Sequence, residues 1–355
     1  MKSMPLRQTG EIRMSKWYDM SGKNDDVVVA SRIRLARNFK DYVYSGMMEK
    51  EDSEKLIQSV TEAFQTDHRN EYSYCYTDRC GDIGKQSLKE RLIINEYLGG
   101  RTDGAAIISE DESAAILLNA EDHVRIQVVR PGMNMAECFN KANEIDDYID
   151  GHFDYAFDEK YGYKTTYPTN IGTGLRASYI LFLPSLRDAK KLSKISTELG
   201  RFGMKFKSVF NEGNNHAGSF FRISSQRSIG LSEKEIIKDL DDMVIQLINQ
   251  EREQRNAFYT ADRTQMEDEV FKSYGVMKYA RKLAFKDAMM LISELKQGIN
   301  LGILNFKEGT ECNIIRMIMD IMPSVICERA GEKLSADEID IERATYLRNN
   351  IPDIV

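Results

Sequence analysis

Ala114-Ala115-Ile116-Leu117-Leu118-Asn119-Ala120-Glu121-Asp122-His123-Val124-Arg125-Ile126-Gln127-Val128-Val129 sets the architecture of this chain. It reads as an apolar strand, a short charged connection and a second strand. Parallel neighbours need a crossover of about a dozen residues or more, whereas antiparallel ones need only a turn. The connection is too short for a crossover, so the two strands pair antiparallel. At its centre, residues 119–125 pack two carboxylates, an imidazole and a guanidinium into seven positions. A cluster of both signs between strands forms either a site or a solvated turn, and the residues alone leave both open.

The pattern recurs outward. Further strands are expected at 105–108, 179–183, 204–210 and 219–224, and residues 26–30 run into Ser31-Arg32-Ile33-Arg34-Leu35-Ala36-Arg37. Helices are expected at 50–66, where Leu56, Val60 and Phe64 recur every four residues, at 87–98, and near 186–199. Another is expected at 134–150, with Met135, Cys138, Ala142, Ile145 and Ile149 as its apolar positions. Ser232 and Glu235 form a capping box that opens a helix carrying Ile236, Leu240, Val244, Leu247 and Ile248. The polar run Gln250-Glu251-Arg252-Glu253-Gln254-Arg255-Asn256 is the expected boundary, and 264–355 has helical spacing throughout, punctuated by Gly275, Gly298 and Gly302. The class is α+β: a polar lead-in over 1–25, a largely antiparallel sheet flanked by helices over 26–255, and an all-helical domain over 256–355.

A chain of 355 residues, 42% hydrophobic and 30% charged, has the composition of a soluble globular protein with a large core. A net charge of -7 disfavours nucleic-acid binding by the bare surface. No apolar run reaches membrane-spanning length, and the first ten residues lack an apolar signal core. A cytoplasmic protein with no membrane and no direct nucleic-acid partner is expected. The five scattered cysteines fit reduced thiols. Cys75 and Cys80 have no second pair, and His68, His123, His152 and His216 show no metal spacing, so no metal site is expected.

Arg32 and Arg34 are two apart in a strand, so they project from the same face. Two guanidiniums there repel unless an anion lies between them. Arg125 and Arg176 each adjoin an apolar strand, and Arg176 follows Gly172-Thr173-Gly174, a loop whose backbone could approach a phosphate. One such arginine alone reads as a solvated strand face or an ion pair. Four together point to a polyphosphate, because arginine donors form a fixed fork for phosphate oxygens. No Walker loop and no dinucleotide fingerprint is present. Glu121 and Glu212 could hold a cation such as a guanidinium and take a proton from it, or be unrelated surface residues.

Four stretches, in this order, resemble motifs of the guanidino (phosphagen) kinase family. They are Ser31-Arg32-Ile33-Arg34, Asn119-Ala120-Glu121-Asp122-His123-Val124-Arg125, Pro168-Thr169-Asn170-Ile171-Gly172-Thr173-Gly174-Leu175-Arg176-Ala177-Ser178 and Asn211-Glu212-Gly213. Ile223-Ser224-Ser225-Gln226-Arg227 resembles the strand after the substrate loop. Within the family the similarity is closest to the bacterial branch that phosphorylates arginine in proteins, through Ser31-Arg32-Ile33-Arg34-Leu35-Ala36-Arg37-Asn38 and the C-terminal helical region.

The resemblance implies transfer of the ATP γ-phosphoryl group, with Mg2+, to arginine side chains of proteins. Arg32, Arg34, Arg125 and Arg176, with Ser31, Ser178 and Lys207, would bind the nucleotide. Glu121 and Glu212 would grip the guanidinium, with Tyr167 and Asn170 beside it. Asp340 and Arg343 match a phosphoarginine-sensing pocket whose first arginine is here Ile339. Tyr167 stands where the family usually has cysteine, Ala120 where it has glutamate, and Lys207 where it has a phosphate-binding arginine. Asn211 replaces a glycine and Asn215 a glutamate. By the same resemblance, partners would be a Clp-type ATPase–protease, a heat-shock repressor and a zinc-binding activator, with a homodimer built on the C-terminal helices. The alternatives are a catalytically weak kinase fold acting as an adaptor, and a kinase of a free guanidino compound.

Overall fold

The computed structural model describes residues 15–68, 70–212, 215–216 and 218–355, with the side chains of 211, 212, 215 and 216 outside that description. The strands are β1 (Val28–Arg37), β2 (Tyr72–Tyr76), β3 (Ala105–Ser109), β4 (Ala114–Leu118), β5 (Val124–Pro131), β6 (Phe157–Asp158), β7 (Gly162–Tyr163), β8 (Leu175–Phe182), β9 (Met204–Ser208), β10 (Asn211–Glu212), β11 (Asn215–His216) and β12 (Phe220–Ser225). The helices are α1 (Lys50–Asp67), α2 (Gly81–Glu90), α3 (Glu96–Gly99), α4 (Met135–Asp150), α5 (Pro184–Asp188), α6 (Leu192–Arg201), α7 (Glu233–Ala261), α8 (Arg263–Tyr279), α9 (Phe285–Asn300), α10 (Ile314–Asp320), α11 (Pro323–Ala330) and α12 (Ala336–Asn350). Eight strands form one sheet in the order β2-β3-β4-β5-β1-β8-β12-β9. Every neighbouring pair in it is antiparallel, including β1–β5 and β1–β8, which are far apart in the chain; the short links β3–β4 and β4–β5 are antiparallel as their length requires.

Alternation along the strands sorts the side chains into two faces. One face carries Ile33, Leu35, Ile116, Ile126, Val128, Ala177, Tyr179, Phe221 and Ile223, and it is covered by α1, α4, α6 and α7. Their apolar positions fit the spacing read from the sequence: Leu56, Val60 and Phe64 of α1 are buried, as are Met135, Cys138, Ala142, Ile145 and Ile149 of α4. Burying a side chain of that size contributes about 1.5–3 kcal/mol, so this face is where most of the sheet's cohesion lies.

The opposite face is divided among three environments. Over β3 and β4, Ala106, Ile108, Ala115 and Leu117 pack with Leu88 of α2 and with Ile93, Ile94 and Leu98. At one end of the central strands, Ala30, Val129, Ile180, Phe182 and Phe220 pack with Met289, Ile292 and Leu295 of α9 and the rest of the C-terminal helices. Between these two covers lies a charged strip.

Four expectations shift. The helix expected near 186–199 is two: α5 ends at Asp188, Lys190 takes a left-handed φ of 57°, and α6 begins at Leu192. Residues 87–98 do not form one helix: α2 ends at Glu90, Leu92 takes a left-handed φ of 63°, and α3 begins at Glu96. The lead-in is not simply polar, because Trp17 and Tyr18 are buried in the C-terminal core, and Arg316 pairs with Asp19 beside them. The boundary expected at 255/256 falls inside α7, which runs unbroken to Ala261. Its polar residues there are structural rather than linker: Glu251 accepts from the Ser185 and Leu186 amides at 3.0 Å each, and Arg255 pairs with Asp26 at 3.1 Å. Asp262 both ends α7 and caps α8, accepting from the Gln265 amide at 3.0 Å.

The seam between α8 and α9 closes on Gly298, where an added Cβ would lie 2.3 Å from the buried Val270 Cγ1. Helix propensity alone would favour alanine there by about 1 kcal/mol. A clash with a core methyl of this severity costs about 1–3 kcal/mol and outweighs it. Gly298→Ala is therefore expected to lower the midpoint of urea unfolding, and an unchanged or raised midpoint would show that the seam has room.

Candidate active site

The charged strip is built by register. Arg34 lies directly opposite Arg176 on β8 and opposite Gln127 on β5, and Ala36 lies opposite Arg125. Arg32 lies opposite Ser178, Ser178 opposite Ser224, and Ser224 opposite Lys205. Arg222 lies opposite Lys207. Directly paired residues share a face, so Arg32, Arg34, Arg125, Arg176, Arg222, Lys205 and Lys207 all project from one side of five adjacent strands.

Positive charge is poorly balanced here. Burial lowers the affinity of Arg32 and Arg34 for their protons, and the surrounding guanidiniums add to it: Arg222 and Arg125 act on Arg32, and Arg125, Arg32, Arg176 and Arg222 act on Arg34. Arg176 and Arg222 are pulled down by burial and by Arg125, and Lys205 by the adjacent Lys207 ammonium. Guanidiniums stay protonated even when buried, so these directions report charge held away from water first and mutual repulsion second, and an anion would relieve both. The Nε atoms of Arg32, Arg34 and Arg222 are buried with no hydrogen-bond partner among the described residues. Donors held dry and unpaired are costly unless a ligand meets them.

A cavity of about 620 Å³ opens on this strip, lined by Arg34, Arg125 and Arg176 and by Asn95, Glu121, Tyr167 and Asn170 among others. Glu121 lies at the centre of the turn between β4 and β5. Asn95 Nδ2 donates to its two oxygens at 2.7 and 2.8 Å, and Arg125 Nη1 to both at 3.1 Å. Burial would raise the Glu121 carboxyl, but the Arg125 charge and the Asn95 amide hold it below its usual value. The rest of the turn is structural. Asp122 accepts from Asn38 at 2.7 Å and the Thr166 amide at 2.6 Å. His123 Nδ1 accepts from the Phe39 amide at 3.0 Å, so Nε2 carries the proton toward the Val43 carbonyl at 2.7 Å. Burial lowers the His123 pKa and keeps that ring neutral.

Of the residues singled out from sequence, the structure gathers Arg32, Arg34, Arg125, Arg176, Ser178 and Lys207 on one face, with Glu121, Tyr167 and Asn170 at the cavity. Asn170 Oδ1 accepts from Arg176 Nη2 at 3.1 Å, and Tyr167 is half exposed. Ser31 is not among them. It points to the other face, where its hydroxyl donates to the Gly132 carbonyl and accepts from the Asn134 amide, both at 2.7 Å; adjacency to Arg32 in sequence means the opposite side of a strand. Glu212 belongs to β10, which pairs with β11, and its side chain lies outside the described residues, as does Asn215's. Asp340 and Arg343 sit in α12 and engage each other at 2.5 Å. Arg343 also donates to the Leu283 and Ile321 carbonyls at 2.8 and 3.1 Å. Gly172 and Gly174 serve close backbone packing rather than an open loop: an added Cβ would lie 2.3 Å from the Ser228 carbonyl oxygen and 2.6 Å from that of Ala36.

Sequence reasoning missed Arg222, Gln127 and Asn95. Gln127 donates to the Leu92 carbonyl at 2.8 Å, which turns its Oε1 toward Arg32 Nη2. Period-two alternation through Phe221-Arg222-Ile223 would have found Arg222. Nothing local marks Asn95 or Gln127, whose partners are distant in the chain.

A family model described as the C-terminal catalytic domain of ATP:guanido phosphotransferases matches residues 52–254. A second, described as the C-terminal domain of the protein-arginine kinase McsB, matches residues 263–354. A protein-arginine kinase of Halalkalibacterium halodurans is 38% identical over 349 residues, 97% of each chain. The corresponding protein of Bacillus subtilis is 34% identical over 352 residues, 98% of this chain and 96% of its own. Among solved structures, a lombricine kinase aligns with a TM-score of 0.57 at 20% identity, over 65% of this chain and 68% of its own. A duplicated taurocyamine kinase of Schistosoma mansoni aligns at 0.57 and 23% identity, over 70% of this chain and 36% of its own. The solved structures share the fold.

A carboxylate whose folded pKa is depressed stabilises the fold above its unfolded value of about 4.3, and that contribution is lost as pH falls through the folded value. Asn95→Ala removes one set of donors to the ionised form. Carbon-detected NMR is expected to show the Glu121 carboxyl titrating at higher pH in the variant, and an unmoved midpoint would assign the effect to Arg125 alone.

Proposed function

The chain belongs to the ATP:guanido phosphotransferase family, and on that premise we propose that it transfers the γ-phosphoryl group of ATP to arginine side chains of other proteins. The observation that carries this reading is the juxtaposition at one cavity of a face of guanidiniums short of negative charge and a carboxylate, Glu121, held ionised at its edge. The first suits the phosphates of a nucleotide, the second the guanidinium of an acceptor. Arg125, which touches Glu121, marks where the two meet.

A guanidinium is a poor nucleophile until it loses a proton. In the proposed reaction one N–H proton passes to a carboxylate while the nitrogen forms the N–P bond and the bond from the γ-phosphorus to the bridging oxygen of ADP breaks. Glu121, committed to Arg125 and Asn95, is the weaker base and orients the guanidinium; Glu212 is assigned the proton. Arg32, Arg34, Arg125 and Arg176 fix the phosphates in line and absorb the charge that moves to ADP, which is most of what phosphoryl transfer asks of a protein. The carboxylates lining the cavity, Glu96, Glu121 and Asp122, all accept from protein donors. Mg2+ would therefore be held by the nucleotide's own oxygens, where it supplies further neutralisation.

The proposal extends to biology through the C-terminal helical domain, which matches that of a protein-arginine kinase. Marked proteins pass to a Clp-type ATPase–protease in a stress response, a heat-shock repressor is one acceptor, a zinc-binding protein activates, and the C-terminal helices dimerise. The setting is the cytoplasm; no helix among the described residues is long and apolar enough to cross a membrane.

Incubation with Mg-ATP and an arginine-rich protein is expected to yield acid-labile, alkali-stable phosphate on the protein. Phosphate on free arginine alone would make it a metabolite kinase, and bound ATP with no transfer an adaptor. Glu212→Ala is expected to cut turnover by about a hundredfold or more and leave Mg-ATP affinity within about twofold of the parent. Unchanged turnover would remove Glu212 from the site.

A further inference from the structure

Arg222 is the one arginine of the charged face that neither the motifs nor the family resemblance singles out. It sits on β12 in register with Ile180 of β8 and Lys207 of β9, so its side chain shares the face of Arg32, Arg34 and Arg176. Its charge bears on both Arg32 and Arg34, and that of Arg125 bears on it. It makes no salt bridge to a carboxylate among the described residues, and its buried Nε has no hydrogen-bond partner there. The buried structural arginines Arg37 and Arg255 each pair with a carboxylate, Asp146 at 2.6 Å and Asp26 at 3.1 Å, whereas the half-buried Arg222 has none among the described residues. Arg222 instead faces other cations, an arrangement that favours the fold only when an anion lies among them.

By the family resemblance, Lys207 stands at the position of a phosphate-binding arginine, and an ammonium is a point charge without a planar fork. The residue directly across the ladder from Lys207 is Arg222. We infer that Arg222 is a phosphate-binding residue of the nucleotide site, delivering from β12 the forked donor that Lys207 does not deliver from β9. Lys207 keeps its charge, and the fork is supplied from the next strand, about 4.8 Å away. This assignment rests on the proposal that the face binds ATP.

Calorimetric titration of the full chain with Mg-ATP and, separately, with adenosine tests it. Arg222→Gln is expected to weaken Mg-ATP binding by roughly tenfold to a hundredfold, in the range of a lost charge-assisted contact, while adenosine binding stays within about twofold. Arg222→Lys keeps the charge without the fork and should fall between. Lys207→Arg placed in the Arg222→Gln background should recover about fivefold or more, because it restores a guanidinium on the adjacent strand. The thermal midpoint of Arg222→Gln without ligand should not fall, since one member of a repelling cluster is gone. Equal affinity of Arg222→Gln and the parent for Mg-ATP would overturn the assignment of Arg222 alone. So would a parallel loss of ATP and adenosine binding, the mark of a merely structural role. A parent chain that binds no Mg-ATP would overturn the nucleotide site and this assignment together.

Discussion

Like charges crowded on one side of a sheet repel, and every other feature of this molecule accommodates that repulsion. Two unit charges about 4 Å apart repel by about 4 kcal/mol at an effective dielectric near 20. A face holding Arg32, Arg34, Arg125, Arg176 and Arg222, with Lys205 and Lys207 at its margin, cannot provide the sheet's cohesion. The cohesion comes from the reverse side, where four helices bury the aliphatic half of the same strands. Antiparallel ladders make this possible, since one residue of each pair along a strand points to water or ligand and the next into the core. Among the described residues, Gln127, Asn170 and the carboxylate of Glu121 restrain the arginines without neutralising them.

The division of labour between faces explains what the chain disclosed and what it withheld. The antiparallel class followed from connection lengths, and the arginines at 32 and 34 from period-two alternation. The same rule, applied to Ser31, would have placed it on the opposite face; motif adjacency overrode it. Arg222 was readable in principle but carries no motif, and its meaning depends on its ladder partner Lys207, which only the register reveals. Asn95 was not readable: its contact with Glu121 depends on α2 ending at Glu90 and a left-handed Leu92 redirecting the chain. The polar run at 250–256 ends close to the break between the two regions matched by family models, 52–254 and 263–354, yet lies within a continuous helix. Composition cannot distinguish a solvated linker from a buried Glu251 that caps another helix.

The C-terminal helices are joined to the sheet more closely than an appended domain would be. α9 lies on the end of the charged face, with Ser293 donating to Ser219 at 3.0 Å and Asn300 to the Asp26 carbonyl at 2.8 Å. α11 meets α2 from the other side: Glu90 accepts from the Ser324 amide at 2.8 Å, and Glu328 reaches Arg91 and Ser87. The segment after α2 then contributes the Leu92 carbonyl that turns Gln127 and the Asn95 amide that clasps Glu121. Helical domain and arginine face therefore share atoms through a chain of direct hydrogen bonds.

Strand order has a consequence for how the molecule comes into being on the ribosome. β1 is the earliest strand to be made, yet its two neighbours are β5 and β8, and the outer arginine strand is β12. From the emergence of Arg37 to that of Leu175 the ribosome adds well over a hundred residues, which at about 5–20 residues per second occupies on the order of ten to thirty seconds. Throughout that interval the nascent chain holds Arg32 and Arg34 without the strand that aligns them with Arg176. The arginine face therefore does not exist as a unit until β8 and β12 have followed β1 from the ribosome.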